Sequence, residues 1–321
     1  MHVVLEELKK IGIIPVIKID DAAKAVPLAK ALIAGGIPCA EVTFRTAQGE
    51  EAMRLINREV PGILLGAGTV LSVGQVDKAI AAGAKFIVSP GFNPKVVSYC
   101  VEKGIPITPG CSCPSDIEQA LEMGLDVVKF FPAEQAGGLE FIKAVSAPYS
   151  SMYFIPTGGI NAQNIAKYIG FEKVLACGGS WMVNAELINA GEFDRISGLC
   201  REAQFNLLGF QVVHIGINTE NEEAALKAAN RFSLLFGFQN KIGNSSIFSG
   251  ESLEIIKSRY FGQNGHIAVA TNSVLRARAF FERQGVEFNA ESAKTDAKGN
   301  TTAIYFKEEI GGFAVHLLQR K

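Results

Sequence analysis

Between residues 11 and about 190, short β-branched segments alternate with Ala-rich segments of helical spacing, and this repeat leaves few folds open. Strands that alternate with helices pair in parallel through right-handed crossovers. The repeat predicts eight strands, at Ile13–Ile19, Ala40–Arg45, Leu64–Val70, Phe86–Pro90, Pro106–Pro109, Val127–Phe131, Tyr153–Thr157 and Lys173–Cys177. Eight such strands close an α/β barrel of the (β/α)8, or TIM, type. A doubly wound open sheet is the alternative, but Asp20-Asp21-Ala22 after the first strand is not a Gly-x-Gly-x-x-Gly turn.

The composition and pattern of the sequence change after about Phe205. Cysteine disappears, asparagine and phenylalanine become more frequent, and a two-fold repeat is visible. Each half starts with a short strand, continues into a helix and ends in alternating segments; the two halves begin at His214-Ile215-Gly216-Ile217 and His266-Ile267-Ala268-Val269. We therefore predict two domains, a barrel over residues 1–204 and an α+β domain of paired βαβββ modules over 205–321, with the boundary between Glu202 and Gln211.

Composition excludes several classes of protein. The formal net charge of -1 gives no basic surface for nucleic acid or an anionic membrane. No apolar run reaches the ~20 residues of a membrane helix, and the amino terminus does not resemble a secretory signal, so we expect a cytoplasmic protein. The six cysteines fit neither a disulfide framework nor a zinc ribbon, and we expect mostly buried, reduced thiols.

Charged side chains occur inside two of the predicted barrel strands. Side chains alternate between the two faces of a strand, so Glu41 and Arg45 lie on the same face of the second strand. Lys129 lies among valines and phenylalanines in the sixth. A poorly solvated lysine tends towards the neutral amine, which is the nucleophile of Schiff-base chemistry. Glu41 would serve as general acid and base if burial raises its pKa, and Arg45 suits a small carboxylate. The alternatives are a solvated edge strand, a structural ion pair, or a buried lysine paired with an acid.

The last two predicted strands end in pairs of glycines. They read Thr157-Gly158-Gly159-Ile160 and Gly178-Gly179-Ser180. Glycine allows backbone amides to approach an anion closely, and barrels often bind phosphate in the loops after strands seven and eight. The sequence therefore predicts a phosphate site there.

Together these segments resemble the 2-dehydro-3-deoxy-phosphogluconate / 4-hydroxy-2-oxoglutarate aldolases over essentially all of residues 1–200. The resemblance is carried, in chain order, by Glu41-Val42-Thr43-Phe44-Arg45-Thr46, Gly66-Ala67-Gly68-Thr69-Val70, Ser89-Pro90-Gly91-Phe92, Lys129-Phe130-Phe131-Pro132-Ala133-Glu134, Pro156-Thr157-Gly158-Gly159-Ile160 and Gly178-Gly179-Ser180-Trp181. It implies a homotrimer that needs no cofactor and acts on a small 2-keto sugar acid.

The resemblance also implies roles for individual residues. Lys129 would form the Schiff base and Glu41 would transfer protons, while Arg45 and Thr69 would hold the pyruvyl carboxylate. The other implied substrate-binding residues are Pro90, Phe131, Thr157 and Lys18, and the implied phosphate-binding residues are Gly158, Gly159, Gly179 and Ser180. Cys113 and Asp116 stand where relatives usually have Thr and Glu, which puts the substrate preference in doubt.

The C-terminal repeat resembles the glyoxalase / vicinal oxygen chelate superfamily more loosely. That resemblance implies metal ligands on the first and last strands of each half, where this chain has His214, Glu254, His266 and His316. Imidazoles with one carboxylate would suit a divalent metal such as Zn, Ni, Fe or Mn. The alternative is a metal-free domain whose histidines are hydrogen-bonded in the core.

The leading hypothesis is an aldolase that cleaves 2-dehydro-3-deoxy-6-phosphogluconate to pyruvate and glyceraldehyde 3-phosphate, and also 4-hydroxy-2-oxoglutarate to pyruvate and glyoxylate. A catalytically retired barrel that senses sugar acids is the binding-module alternative. For the tail, a metalloenzyme and a non-catalytic regulatory or assembly domain remain open. The residues do not distinguish gluconate-type from galactonate-type or unphosphorylated substrates.

Overall fold

The computed structural model describes residues 1–320 and divides into two compact units between Leu207 and Leu208. The first unit alternates strands and helices along its whole length. Its strands are β1 Ile13–Ile17, β2 Cys39–Thr43, β3 Leu64–Gly68, β4 Phe86–Val88, β5 Ile107–Thr108, β6 Val127–Phe130, β7 Tyr153–Pro156 and β8 Cys177–Gly179. Its helices are α1 Val3–Ile11, α2 Ala25–Ala34, α3 Gly49–Glu59, α4 Val73–Ala81, α5 Pro94–Glu102, α6 Pro114–Glu122, α7 Gly138–Ser146, α8 Ile165–Ile169, α9 Ala185–Ala190 and α10 Phe193–Leu208.

The strands of the first unit form a curled, parallel sheet. Six of them pair in the order β5-β4-β3-β2-β1-β8, and β6 pairs with β7. Isolated parallel bridges join the two groups at both ends, Gly110 with Lys129 on one side and Thr157 with Gly178 on the other. Because all these pairings are parallel, the carboxyl ends of the strands lie at one edge of the sheet.

The position of the last strand differs from the prediction. The sequence predicts Lys173–Cys177, whereas the ladder with β1 starts at Cys177 and continues through Gly178 and Gly179. Residues 173–175 are instead bridged to β7 through Phe154, whose N–H donates to the Lys173 carbonyl oxygen and whose carbonyl oxygen accepts from the Leu175 N–H. The prediction was wrong here because glycine has a low strand propensity, so its pairing with β1 left no hydrophobic pattern to read.

The second unit contains a strand, a helix and three strands, twice. The elements are β9 Gln211–Asn218, α11 Glu222–Phe236, β10 Asn240–Ile242, β11 Ser246–Ser249 and β12 Leu253–Ile256, then β13 Gly265–Thr271, α12 Val274–Glu282, β14 Phe288–Thr295, β15 Thr301–Ile310 and β16 Phe313–Gln319. This is the predicted order of elements. All eight strands form one sheet, β10-β11-β12-β9-β13-β16-β15-β14, and the two modules join where β9 runs antiparallel to β13.

Side chains of the helices bury against their own sheets. In the second unit, Ala225 and Ala229 of α11 pack on Ile247 and Ile255 of β11 and β12. Within residues 1–320, no helix is long and apolar enough to cross a membrane. The six cysteines, all inside the described range, form no disulfide; five are buried, and Cys113 is exposed.

Candidate active site

The predicted site residues of the first unit follow the carboxyl ends of its strands. Most of them come within two residues of a strand's end: Lys18 after β1, Arg45 after β2, Thr69 after β3, Pro90 after β4, Phe131 after β6, Thr157 after β7 and Ser180 after β8. Because the strands are parallel, one edge of the sheet gathers residues that are far apart in sequence. Active sites of α/β barrels lie at this edge.

Two charged side chains meet inside the curled sheet. Glu41 of β2 is 3% exposed and Lys129 of β6 is 6% exposed. The Lys129 Nζ lies 3.6 Å from the Glu41 Oε1. The same nitrogen lies 5.3 Å from the centre of the Phe131 ring. A buried amine is thus held beside a buried carboxyl and an aromatic wall, which excludes the solvated-edge interpretation of Glu41.

The environment of Glu41 favours its protonated form. Burial raises the pKa of this carboxyl, and the opposing effects of Lys129 and Arg45 do not cancel the rise. A rise in pKa moves a carboxyl towards the range that general acid and base catalysis uses. The shift of Glu41 is therefore in the direction that this role requires.

Gly68 at the end of β3 leaves the space that the Glu41 side chain fills. A Cβ on Gly68 would lie 2.3 Å from the Glu41 Oε1 and 2.7 Å from its Cγ. The sequence alone indicates no role for this glycine. A glycine inside a strand is a signal of close approach by another group, but it does not say which group.

If Lys129 and Glu41 carry out the reaction that the sequence resemblance implies, we expect Gly68→Ala to lower its kcat by roughly tenfold to a hundredfold, because the added methyl displaces the Glu41 carboxyl from Lys129. Steady-state kinetics would measure the loss. Gly74→Ala is the matched control, since a Cβ on Gly74 in α4 meets nothing within 4 Å. Equal kcat values for Gly68→Ala and Gly74→Ala would contradict the packing argument.

A hydrogen-bonded chain orients Arg45. The buried Thr43 hydroxyl donates to the Ile17 carbonyl oxygen at 2.7 Å and accepts from the Arg45 Nε at 3.0 Å. Arg45 itself is exposed, and its two Nη groups make no hydrogen bond within residues 1–320. The guanidinium is therefore fixed at one end and open to a ligand at the other. Thr43 lies midway between Glu41 and Arg45 in the sequence, but the sequence alone could not show that it positions Arg45.

Thr69 has a backbone conformation that L-residues rarely adopt. Its φ of 55° is the one positive φ among the non-glycine residues of the described chain. Left-handed backbone at a non-glycine residue costs free energy and is typical of functional sites. This strained residue directly follows Gly68, which packs against Glu41, and so lies at the same edge of the sheet.

The two glycine loops also lie at this edge. Gly158 and Gly159 have φ values of 98° and 80°, which suit glycine alone. A Cβ on Gly178 would lie 2.3 Å from the Thr157 Oγ1, so glycine at this position leaves room for the Thr157 side chain.

A pocket of about 350 Å³ brings Ser180 together with Lys18 and Arg45, two basic side chains that the sequence predicts at the site. Its lining includes Lys18, Arg45, Ser180, Trp181 and Asn184. Lys18 is exposed there and forms an ion pair with Asp20 at 3.0 Å. Gly158 and Gly159 do not line this pocket.

A second cluster lies in the sheet of the second unit. His214 of β9, Glu254 of β12 and His266 of β13 converge: the Glu254 Oε2 is 3.3 Å from the His214 Nε2 and 3.2 Å from the His266 Nε2. The two Nε2 atoms lie 3.1 Å apart. His316 of β16 joins them, with one ligand atom from each of the three histidines lying within 4.8 Å of the others.

Three ring nitrogens of this cluster have no hydrogen-bond partner among the described residues. Neither ring nitrogen of His316 has a hydrogen-bond partner among the described residues, nor has the His266 Nδ1. Buried polar atoms normally have one. Gly216 provides the space for the His266 ring, because a Cβ there would lie 2.1 Å from the ring. These unpartnered nitrogens speak against the core-histidine interpretation.

The cluster keeps its carboxylate charged and the imidazole of His316 neutral. Burial alone would raise the pKa of Glu254, but hydrogen bonds from His214, His266 and Ser246 hold that pKa well below its usual range. Burial, with the neighbouring histidines, lowers the pKa of His316 to about 4. An ionised carboxylate and a neutral imidazole are the forms that bind metals.

Comparison with known proteins relates the first unit to sugar-acid aldolases. Residues 4–199 match the aldolase family described as KDPG and KHG aldolase. The chain is 51% identical over 202 residues to the 2-dehydro-3-deoxy-phosphogluconate aldolase of Treponema pallidum, covering 63% of this chain and 96% of that one. It is 44% identical over 191 residues to the KHG/KDPG aldolase of Escherichia coli, covering 60% and 90%.

A solved structure gives the same picture. The KDPG aldolase of Legionella pneumophila, with pyruvate captured as a covalent carbinolamine intermediate, superposes with a TM-score of 0.60 at 39% identity. The match covers 62% of this chain and 97% of that protein.

Proposed function

Because the chain belongs to the KDPG and KHG aldolase family through residues 4–199, we propose that residues 1–204 form a class I aldolase that cleaves 2-dehydro-3-deoxy-6-phosphogluconate (KDPG) to pyruvate and glyceraldehyde 3-phosphate. The chain is accordingly a lyase. Cleavage of 4-hydroxy-2-oxoglutarate (KHG) to pyruvate and glyoxylate would use the same residues. The observation that carries this proposal is the buried pair of Lys129 and Glu41, 3.6 Å apart.

The proposed reaction starts at the Lys129 amine. Its nitrogen attacks the keto carbon of the substrate, and the resulting carbinolamine loses water to form an iminium ion. Glu41 donates the proton that leaves with this water. The carboxylate then takes the proton of the C4 hydroxyl, the C3–C4 bond breaks, and its electron pair moves into the iminium to form an enamine. The enamine regains a proton at C3, and water then releases pyruvate from Lys129.

The remaining predicted residues would bind the substrate around this pair. Arg45, held at its Nε by Thr43, and Thr69 would hold the carboxylate, while Pro90, Phe131 and Thr157 would line the pocket. Lys18 and Ser180, which share a pocket with Arg45, would meet the phosphorylated end together with Gly158, Gly159 and Gly179. This arrangement requires all eight strands to close into a (β/α)8 barrel. The parallel bridges that join the six-stranded group to the β6–β7 pair at both ends support closure.

Trapping the Schiff base tests the proposal directly. We expect pyruvate and borohydride to leave a reduced carboxyethyl adduct on Lys129, located by peptide mass spectrometry. Omission of pyruvate is the control. An unlabelled Lys129 peptide after complete reduction would sink the mechanism. The sensor alternative predicts stabilisation of the chain by sugar acids without pyruvate release, so a coupled lactate dehydrogenase assay on the same sample distinguishes the two functions.

One expectation, the homotrimer, rests on the family resemblance alone. The homotrimer would be measured by light scattering during size-exclusion chromatography, where a monomeric mass would contradict it. Placement in the cytoplasm stays a prediction.

The second unit is proposed to be a glyoxalase-like module that holds one divalent metal. Its donors would be His214, Glu254, His266 and His316, two from each βαβββ half. The fit rests on the convergence of these side chains and on the unpartnered nitrogens of His266 and His316. When bound, such a metal would act as a Lewis acid towards an oxygen ligand. The chain's own contribution is the rigid sheet that aims all four donors into one pocket.

Metal content would test this second proposal. We expect the full chain, purified without a histidine tag and loaded with Mn²⁺, Ni²⁺ or Zn²⁺, to retain about one metal per chain after dialysis. His266→Ala should retain less than about a tenth of that amount, because it leaves three of the four donors. His2→Ala is the control, since His2 is the only histidine outside the cluster. Equal metal content in His266→Ala and His2→Ala would contradict the proposed donor set.

A further inference from the structure

The histidine cluster lies at the floor of an open pocket of about 410 Å³ in the second unit. Exposure increases from the floor to the mouth. His266 and His316 at the floor are buried, whereas Ser245, Ser258 and Lys294 at the mouth are exposed. The volume falls in the range of pockets that enclose small metabolites. The cluster is therefore reachable from solvent through a cleft with a different chemistry at each end.

With a divalent ion bound at its floor, the pocket would favour an anion. Apart from the three histidines, the lining contains one carboxylate, Glu254, and one ammonium, Lys294. Glu254 is already engaged by His214, His266 and Ser246. Lys294 forms no ion pair with any residue in 1–320. A divalent ion at the floor would leave the lining with a net positive charge, and a concave site concentrates such a field.

The mouth also offers hydroxyl groups that the protein does not use. The side-chain hydroxyls of Ser245, Ser258 and Tyr260 make no hydrogen bond within the described chain. By contrast, the Ser292 hydroxyl donates to the Asn289 carbonyl oxygen and accepts from the Tyr305 N–H. The unused hydroxyls can each donate and accept, so they match a ligand that itself carries several hydroxyls.

From this juxtaposition we infer that the pocket is a second ligand site, which binds a small polyhydroxylated carboxylate. Its carboxylate pairs with Lys294, its hydroxyls bond to Ser245, Ser258 and Tyr260, and its far end faces the histidine floor. The inference rests on the metal centre proposed above. It gives the chain two sites for one chemical class, because the proposed barrel substrate is itself a sugar acid.

Isothermal titration of the metal-loaded full chain with sodium gluconate tests the inference. Gluconate has the carboxylate and the hydroxyls but no keto group to react with Lys129. We expect saturable binding that Lys294→Gln weakens on the order of tenfold, the usual effect of removing a charge-assisted hydrogen bond. Lys298→Gln, in the turn of the same hairpin and outside the pocket lining, should stay within about twofold of the parent affinity. Sorbitol, which has the hydroxyls without the carboxylate, should not compete.

The outcomes separate the two proposals. A chain that holds its metal but binds gluconate equally well with and without the Lys294→Gln substitution overturns the inference and leaves the metal centre standing. So does a metal-loaded chain without saturable gluconate binding. A chain that holds no metal after dialysis overturns the proposed centre and this inference with it. Circular dichroism of both lysine variants checks that each retains the parent fold.

Discussion

A Lys129→Met chain is expected to cleave KDPG at least about 10⁴-fold more slowly than the parent chain, with no borohydride-trapped adduct. Methionine keeps the buried, unbranched side chain and removes only the amine that forms the covalent bond. The remaining groups can bind the substrate but cannot convert its ketone into an electron sink. Coupled detection of pyruvate would measure kcat, and thermal unfolding would show whether the fold is retained.

Lys95→Met provides the control for this experiment. Lys95 is exposed in the first turn of α5 and is not one of the proposed site residues. Its replacement should leave kcat within about twofold, as for most surface substitutions. Cleavage by Lys129→Met at more than about a hundredth of the parent rate would show that another group supplies the chemistry, because loss of a covalent nucleophile costs far more than that.

A Glu41→Gln chain is expected to lose about 10²- to 10⁴-fold in kcat, the usual contribution of a general acid and base. Glutamine retains the size of the side chain, so the space beside Gly68 stays filled. The change in kcat with pH that is caused by ionisation of Glu41 should also disappear. Glu102→Gln, an exposed substitution at the end of α5, should retain both the rate and the pH profile.

The same variant should change how stability depends on pH. Burial raises the pKa of Glu41 above its ordinary 4.5, so the folded chain keeps this proton at pH values where the unfolded chain has lost it. The unfolded state then binds fewer protons, and the free energy of unfolding decreases as the pH rises from 4.5 through the folded pKa. Glu41→Gln should remove this part of the slope, measured by urea denaturation across the window. An unchanged slope would contradict a raised pKa.

Much of the catalytic edge could be predicted because strand alternation is a local property. The spacing of Glu41 and Arg45 predicted a common face, although β2 ends at Thr43 and Arg45 follows it. Parallel strands predicted the edge at which Lys129 meets Glu41. Their separation of 3.6 Å between Nζ and Oε1 needed coordinates. So did the roles of Gly68 and Thr43, which depend on contacts between neighbouring strands in the folded sheet.

In the second unit, too, some features could be predicted from the sequence and others could not. Its order of strands and helices followed from the repeat in the sequence. Convergence of the four proposed metal donors depends on sheet order, because β9 and β13 are central and β12 and β16 flank them. The free mouth of the pocket could not be predicted, since Lys294, Ser245 and Ser258 belong to no pattern with a helical or strand period.

The antiparallel junction of β9 and β13 is symmetric under exchange of the two modules. Ala268 pairs with His214, and His266 pairs with Gly216, so each histidine faces the residue two positions beyond its counterpart. A chain with a single module would expose this strand as an open edge, and such edges pair with a second copy. Two one-module chains would therefore assemble as an isologous two-fold dimer with the same eight-stranded sheet. The covalent repeat makes that assembly independent of protein concentration.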